Sequence, residues 1–165
     1  QYHQYAKDAF LFACFTGLAY SDLKALNKSN LFQSDNGKCW VMINRKKTDS
    51  ACHVPLLPIP LSILQKYENH PLCIQRNTLL PVPANQNMNN FLKEIAKKCG
   101  ITKKVTTHLA RHTFATTVTL NNDIPIESVS KMLGHSSINM TKIYARLLDK
   151  KISSDMEKLY EKFKA

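Results

Sequence analysis

The chain has 165 residues, 44% of them hydrophobic, and a formal net charge of +11. This length and composition predict one globular domain with a substantial core and exclude a disordered or collagen-like chain. No apolar run approaches the roughly 18 residues of a membrane span, so we expect a soluble protein, and the charge favours a polyanionic partner, with nucleic acid ahead of an anionic membrane surface.

The ends and the cysteines point to cellular context. The chain begins at Gln1 without an initiator Met or a signal peptide, which indicates the excised C-terminal part of a longer protein. Five cysteines form an odd set with no Cys-x-x-Cys pair, so neither a disulfide framework nor a zinc site is indicated. We therefore expect a reducing cytoplasm.

The N-terminal half is predicted to contain helices and one β-hairpin. Apolar residues at helical spacing predict a buried helix over 6–18, and Ser21 is placed to cap a short helix over 22–27. β-prone runs at 39–43 and 51–54 flank turn residues at 48–50 and predict a β-hairpin. A helix over 59–67 follows, and then a loop over 69–83 with one short strand at 78–80.

The C-terminal half reads as helical throughout. Helices are predicted over 88–98, 108–120, 125–133, 137–147 and 151–163, joined by short turns. The fold class is therefore mostly α with a small antiparallel β-hairpin or sheet. The last helix has an apolar stripe that must dock on its own domain or on a neighbour, made of Ile152, Met156, Leu159, Tyr160 and Phe163.

Two polar residues on the 108–120 helix are candidates for chemistry. His108 and Arg111 lie three positions apart and share a helix face, separate from the core stripe of that helix. The planar guanidinium of Arg111 can make paired hydrogen bonds to a phosphate and stabilise charge that builds in a transition state. The alternative is a surface arginine beside a structural histidine.

Three further residues have structural alternatives of the same kind. Tyr144 lies on an apolar stripe and, taken singly, reads as a core residue. His135 follows Gly134 at a helix junction, where it could bond the preceding carbonyls, and Lys47 lies in a basic run that reads as a solvated hairpin end.

The joint spacing of these residues resembles the tyrosine recombinase, or phage integrase, family. The resemblance rests on HLARHTFA at 108–115, LGH at 133–135 and a tyrosine nine residues after that histidine. It extends upstream to FTGLAYSDL at 15–23, which looks like the first box of the family, and to KT at 47–48 and VPL at 54–56, which look like its hairpin segment. The resemblance spans about residues 8–148. Within the family, the chain is similar to the integrases of conjugative transposons.

The resemblance implies the catalytic domain of an enzyme that recombines DNA at specific sites without metal, ATP or other cofactor. Tyr144 matches the nucleophile that forms a 3′-phosphotyrosyl bond, and Arg111 matches a phosphate clamp. His108 and His135 match residues that assist by hydrogen bonding or proton transfer, and Lys47 matches the general acid. Asp22 matches an acidic position of the first box that orders the site.

The implied partners and location follow from the same resemblance. The partner is double-stranded DNA, on which four copies form a synapse, while the isolated domain is a monomer and binds no membrane. The location is the bacterial cytoplasm, at the nucleoid. An N-terminal DNA-binding domain is expected to lie outside this chain, and the 151–163 helix matches a segment that family members exchange between neighbours.

One departure concerns the first box, in which the family has an arginine after Gly-Leu and this chain has Ala19. We hypothesise that Arg45 replaces that arginine, because in an extended strand Arg45 and Lys47 would point to the same face. The alternatives are a DNA-binding domain of the same fold that no longer cleaves, a type IB topoisomerase, and an unrelated basic helical protein.

Overall fold

The computed structural model describes residues 1–145, 156–157 and 159–163 and contains mostly helix with one small sheet. The order along the chain is α1 (Tyr2–Thr16), α2 (Tyr20–Ala25), β1 (Leu31–Gln33), β2 (Cys39–Asn44), β3 (Ala51–Pro55), α3 (Pro58–Tyr67), α4 (Pro71–Arg76), α5 (Asn85–Lys98), α6 (Thr107–Thr113), α7 (Ile126–Met132) and α8 (Asn139–Ala145). The predicted fold class is confirmed.

Helix α1 is the centre of the core. It packs against α3, α5 and α6 and buries residues on more than one face, including Ala6, Ala9 and Phe12. Small alanine side chains allow the neighbouring helices to approach closely, while Phe12 fills the space between them. The helix ends at Gly17, whose φ of 70° is the left-handed conformation that favours glycine after a helix.

The sheet has three antiparallel strands in the order β1-β2-β3. Val41 of β2 pairs with Leu31 of β1 and with Val54 of β3, which confirms the hairpin. Strand β1 was not predicted, because three residues are too few to show the two-residue alternation by which a strand is recognised.

Two local predictions are wrong. Ser21 does not cap α2; that helix begins after Ala19, and the Ser21 hydroxyl instead donates to Asp22. The 69–83 segment contains α4 rather than only loop, and no strand forms at 78–80. Pro71 favours a helix start because its ring fixes φ and the missing N–H needs no partner there.

The helices over 88–98, 108–120 and 125–133 are confirmed within a few residues, although the second continues past Thr113 as a π-helical segment (Phe114–Thr119). In the predicted 137–147 helix, Tyr144 is buried but Met140 and Ile143 are exposed, so the expected apolar stripe does not form a core face. Leu147 and Leu148 lie outside the described residues.

The predicted 151–163 helix lies partly outside the described residues. Positions 159–162 are helical, and the four described members of the predicted apolar stripe are all exposed: Met156, Leu159, Tyr160 and Phe163. Within the described part of the chain, no helix combines the length and apolarity required to cross a bilayer.

Candidate active site

Arg111 joins three parts of the site. Its side chain is 6% exposed, and its two terminal nitrogens donate to the carbonyl oxygen of Gly17 at 2.6 Å and to that of Leu133 at 2.5 Å. Burial and the nearby charge of Arg45 lower the pKa of Arg111, while Tyr144 acts in the opposite direction. Arg111 therefore connects α6 to the ends of α1 and α7 and lies close to both Arg45 and Tyr144.

The C-terminal end of α7 is held from three sides. The thiol of Cys52 in β3 donates to the carbonyl oxygen of Met132 at 2.7 Å, and Arg111 bonds the next carbonyl. Arg45 donates to the carbonyl oxygen of Gly134 at a longer distance of 3.5 Å. Helix C-terminal carbonyls lack partners within the helix, so these donors fix the backbone immediately before His135.

Arg45 enters the site across Gly134. A Cβ atom at Gly134 would lie 2.6 Å from Cδ of Arg45, so a side chain at position 134 would displace the arginine. Gly134 also has a φ of 59°, which glycine adopts without strain. The glycine of the LGH motif thus provides both the turn and the space for Arg45.

The predicted extended strand over Arg45 and Lys47 is wrong, although Arg45 does lie in the site. Residues after Asn44 form a turn rather than extended strand, with the amide of Asp49 donating to the carbonyl of Arg45. Arg45 is consequently 8% exposed, whereas Lys47 is exposed, and the two side chains do not share a face.

Asp22 supports Arg45 from α2. It is 6% exposed, its Oδ2 lies 3.7 Å from Nε of Arg45, and its Oδ1 accepts the backbone amide of Lys46 at 3.1 Å. One carboxylate therefore holds both the arginine and the backbone at the start of the hairpin turn. The ordering role expected for Asp22 stays a prediction.

Tyr144 lies between two imidazole rings and is 3% exposed. The ring of His112 meets it edge to face at a centroid distance of 4.9 Å, and the ring of His135 lies parallel to it at 6.3 Å. Tyr144 therefore belongs to the buried core of the domain and also borders the polar cluster through these two rings.

His135 is neutral at physiological pH. Burial, followed by the charges of Arg111 and Arg45, lowers its pKa to about 4. Its Nδ1 lies 2.8 Å from the hydroxyl oxygen of Thr141, a buried residue of α8. A neutral imidazole held in this way can accept or donate one proton within hydrogen-bond reach.

His108 and Lys47 are less closely associated with the cluster. His108 is exposed, and its Nε2 lies 3.0 Å from Nε2 of His112. Lys47 is exposed in the turn between β2 and β3 and makes no hydrogen bond or ion pair with any described residue. The structure therefore groups Tyr144, Arg111, His135 and Arg45, with His108 at the edge and Lys47 apart.

Sequence reasoning missed three residues that build this cluster. Thr141 and Cys52 gave no signal, because each acts through a single hydrogen bond across the fold. His112 could have been found, since it lies one helical turn after His108 and directly follows Arg111.

The arrangement is suited to an anion. Two buried guanidinium groups lie beside a neutral imidazole and a phenol, and Asp22 is the carboxylate that contacts Arg45. Nε of Arg45 is buried without a hydrogen bond, 3.7 Å from Oδ2 of Asp22. The adjacent positive charges of Arg45 and Arg111 favour a phosphate, with which guanidinium groups form charge-assisted bonds.

A model of the phage integrase family matches residues 2–151. A tyrosine recombinase of Agathobacter rectalis is 34% identical over 94 residues, which cover 53% of this chain and 30% of that protein. Tyrosine recombinase XerC of Listeria monocytogenes is 29% identical over 59% of this chain and 32% of its own length. The chain thus spans about a third of the length of these curated relatives.

Solved structures show the same fold. The XerA recombinase superposes with a TM-score of 0.68 and 25% identity, over 98% of this chain and 64% of that one. The XerH recombinase in a post-cleavage complex with its difH substrate gives a TM-score of 0.71 at 20% identity, over 92% and 44% of the two chains. The Tn1549 transposon integrase in complex with transposon right end DNA gives a TM-score of 0.65 at 18% identity, over 98% of this chain and 60% of that one.

Proposed function

The chain belongs to the phage integrase family of tyrosine recombinases, and on this basis we propose that it is the catalytic domain of an enzyme that integrates or excises a mobile element by cleaving and rejoining DNA. The observation that carries the proposal is the burial of Tyr144 in one cluster with Arg111, Arg45 and His135. A tyrosine on a structural face would not need two arginines and a neutral histidine around it.

The proposed reaction uses only side chains of this chain. The phenol oxygen of Tyr144 attacks the scissile phosphorus and loses its proton to His135, which is unprotonated but is a weak base at a pKa of about 4. The bond to the 5′ oxygen breaks, and that oxygen takes a proton from Lys47. The new 3′-phosphotyrosyl ester keeps the energy of the broken bond, so rejoining needs no nucleotide cofactor.

Lys47 suits the role of general acid because it lies at an exposed hairpin turn that DNA can contact. His108, exposed at the edge of the cluster, is available to donate a hydrogen bond to the same phosphate. Both residues are expected to join the cluster when DNA is bound.

Arg45 is proposed to replace the arginine that is absent at Ala19. It is buried beside Arg111, its Nε makes no hydrogen bond, and Gly134 leaves room for its side chain. Ala19 precedes α2 and lies two residues after Gly17, whose carbonyl accepts from Arg111. We therefore expect an arginine at position 19 to lie near Arg111, as Arg45 does.

The test is to trap the covalent intermediate. The full-length protein containing this chain would be incubated with nicked DNA that carries an element end, and adducts would be detected by denaturing electrophoresis before and after protease treatment. We expect a protease-sensitive adduct at the 3′ end of the cleaved strand in the wild type and none with Tyr144→Phe.

Tyr2→Phe is the matched control, because Tyr2 is 61% exposed at the start of α1 and lies outside the cluster. An adduct that persists in Tyr144→Phe would exclude Tyr144 as the nucleophile. Specific DNA binding without any wild-type adduct would favour the second candidate function, a DNA-binding domain that has lost cleavage, which the alanine at position 19 supports.

We also propose that this chain is the C-terminal part of a longer integrase that acts on double-stranded DNA as a tetramer, at the nucleoid in the cytoplasm. The exposed apolar residues of the 156–163 segment support docking onto a neighbouring copy. Deletion of residues 151–165 should therefore reduce cooperative assembly on DNA, measured by gel shift across a protein titration. Full cooperativity in the truncated protein would contradict this role.

A further inference from the structure

The imidazole ring of His112 contacts two groups of the site at once. On one side, its Nε2 lies 3.0 Å from Nε2 of His108, and the two rings meet at 79°. On the other side, its ring packs edge to face against Tyr144 at a centroid distance of 4.9 Å and 78°. His112 is thus the physical link between an exposed histidine and the buried tyrosine.

The backbone that carries His112 is fixed. The preceding residue, Arg111, is bonded to the carbonyls of Gly17 and Leu133, and the carbonyl of His112 accepts the hydroxyl of Thr116 at 2.8 Å. The π-helical segment begins two residues later, at Phe114, and such segments occur frequently at functional sites. The position of the His112 ring is therefore determined by its surroundings.

We infer that His112 is a positioning residue that orients His108 for contact with the scissile phosphate and restrains the ring of Tyr144. The inference rests on the proposed function, since it concerns the same reaction. His112 itself touches neither the DNA nor the reacting atoms in this account. It acts through the hydrogen bond to His108 and through ring contact with Tyr144.

The hydrogen bond requires opposite protonation of the two rings. One Nε2 must carry the proton and the other must present a lone pair, so the neutral pair adopts opposite tautomers. Burial, followed by the charges of His108, Arg111 and Lys103, lowers the pKa of His112, which agrees with a neutral ring in this pair. A fixed tautomer and orientation at His108 is what a phosphate-binding histidine needs.

Two substitutions separate the two contacts. His112→Phe keeps a ring against Tyr144 but removes the hydrogen bond to His108, whereas His112→Gln keeps a polar group of similar reach without the aromatic ring. His3→Gln is the matched control, because His3 is a half-buried histidine near the start of α1 whose contacts are with Glu94 and Phe91 of α5, outside the cluster. DNA affinity, melting temperature and the single-turnover rate of adduct formation would be measured for each full-length variant.

We expect His112→Phe to lower the cleavage rate about 10-fold to 100-fold, as loss of supporting partners does in other sites, with DNA affinity and melting temperature near those of the wild type. His112→Gln should recover most of that loss. Wild-type cleavage by His112→Phe would overturn the inference, and so would an equal loss in both variants that is accompanied by a matching fall in melting temperature, which is the result of a merely structural role.

Nitrogen NMR of the imidazole groups gives a second readout that is independent of cleavage. Above pH 7, with His108→Gln and His112→Gln used for assignment, the wild type should show opposite tautomers at the two residues. The same tautomer at both would overturn the inference while leaving the proposed function intact. Absence of wild-type cleavage under conditions of specific binding would overturn both.

Discussion

Two buried polar clusters in this domain satisfy their charged groups to different degrees. On α1, the carboxylate of Asp8 is 4% exposed and accepts hydrogen bonds from Gln4, Lys66 and Tyr67, at 2.5–3.0 Å. In the candidate site, Arg45 is 8% exposed, yet its contacts are a 3.5 Å hydrogen bond and a 3.7 Å ion pair, and its Nε has no hydrogen-bond partner.

The pKa of Asp8 reflects its environment. Burial raises it, but the hydrogen bonds from Gln4, Lys66 and Tyr67 outweigh burial, and the net effect is a lowered pKa. The protein alone supplies every partner this carboxylate needs. Asp8 therefore stabilises the packing of α1 on α3 and has little capacity left for a ligand.

The difference separates a structural cluster from a binding cluster. An unpaired buried donor costs roughly 1–3 kcal/mol. Nε of Arg45 lacks a hydrogen bond, as do Nε1 of Trp40 and Nδ1 of His70. Arg45 differs in lying beside a second guanidinium group, that of Arg111. The ligand that we propose for two adjacent guanidinium groups is an anion such as a phosphate. We therefore expect substitutions in the two clusters to affect different measurements.

Arg45→Ala should give the largest effect of these tests, and the effect should be on the rate of DNA cleavage. Loss of one charge-assisted clamp is expected to slow single-turnover adduct formation by about 10²-fold to 10³-fold, with DNA affinity reduced far less because other basic residues also contact phosphates. The rate of adduct formation in Arg45→Lys should fall between those of the wild type and Arg45→Ala, since lysine keeps the charge but lacks the planar guanidinium group.

Arg76→Ala is the control for Arg45→Ala, because Arg76 is an exposed arginine at the end of α4. It should cleave at the wild-type rate. Equal cleavage rates for Arg45→Ala and the wild type would show that Arg45 is not a phosphate clamp. The proposed difference between Arg45 and the structural residue Asp8 would then be wrong.

Asp8→Asn should act mainly on stability. The substitution keeps the shape of the side chain but weakens the hydrogen bonds that the carboxylate accepts from three residues, and we expect a loss of about 1–3 kcal/mol in the free energy of unfolding. Urea denaturation would measure it, with exposed Asp35→Asn as the control. The cleavage rate of the folded Asp8→Asn protein should equal that of the wild type. A hundredfold lower cleavage rate under conditions in which the variant is fully folded would contradict the structural role.

Acid should destabilise the domain in part through His135, the smallest of these effects. Its pKa is about 4 in the folded chain, against an ordinary value of 6.5. Between these values the unfolded chain binds more protons, so stability falls as the pH drops from about 6.5 to 4. Each loss of about 1 kcal/mol corresponds to about 2–4 °C in melting temperature for a domain of this size.

The test compares melting curves of the wild type and His135→Gln across this pH range. Glutamine does not titrate, so its curve should fall less steeply, and the residual slope reports the other groups, including Asp8. Identical slopes in the two proteins would show that His135 is not held neutral by its buried position.

Local patterns predicted most of the fold. The β2–β3 hairpin, α3 and α5 follow from alternation, helical periodicity and turn residues, all of which act over a few neighbouring positions. The strand β1 and the short helix α4 were missed, because three and six residues carry too little periodicity and depend on what they pack against.

The site was only partly predictable for a related reason. Arg111, His135 and Tyr144 are marked by ordered motifs, whereas Arg45 reaches the cluster through a turn whose direction the sequence does not reveal. Cys52 and Thr141 act across large sequence separations, each through one hydrogen bond, and no local pattern announces such a contact.

The central claim is that Arg45 supplies the phosphate clamp that Ala19 does not. The most direct measurement is the rate of 3′-phosphotyrosyl adduct formation in four full-length proteins: wild type, Arg45→Ala, Ala19→Arg and the double variant. We predict a loss of about 10²-fold or more in Arg45→Ala and recovery of most of it in the double variant. Equal rates in wild type and Arg45→Ala would contradict the claim, as would an equally slow double variant that binds DNA normally.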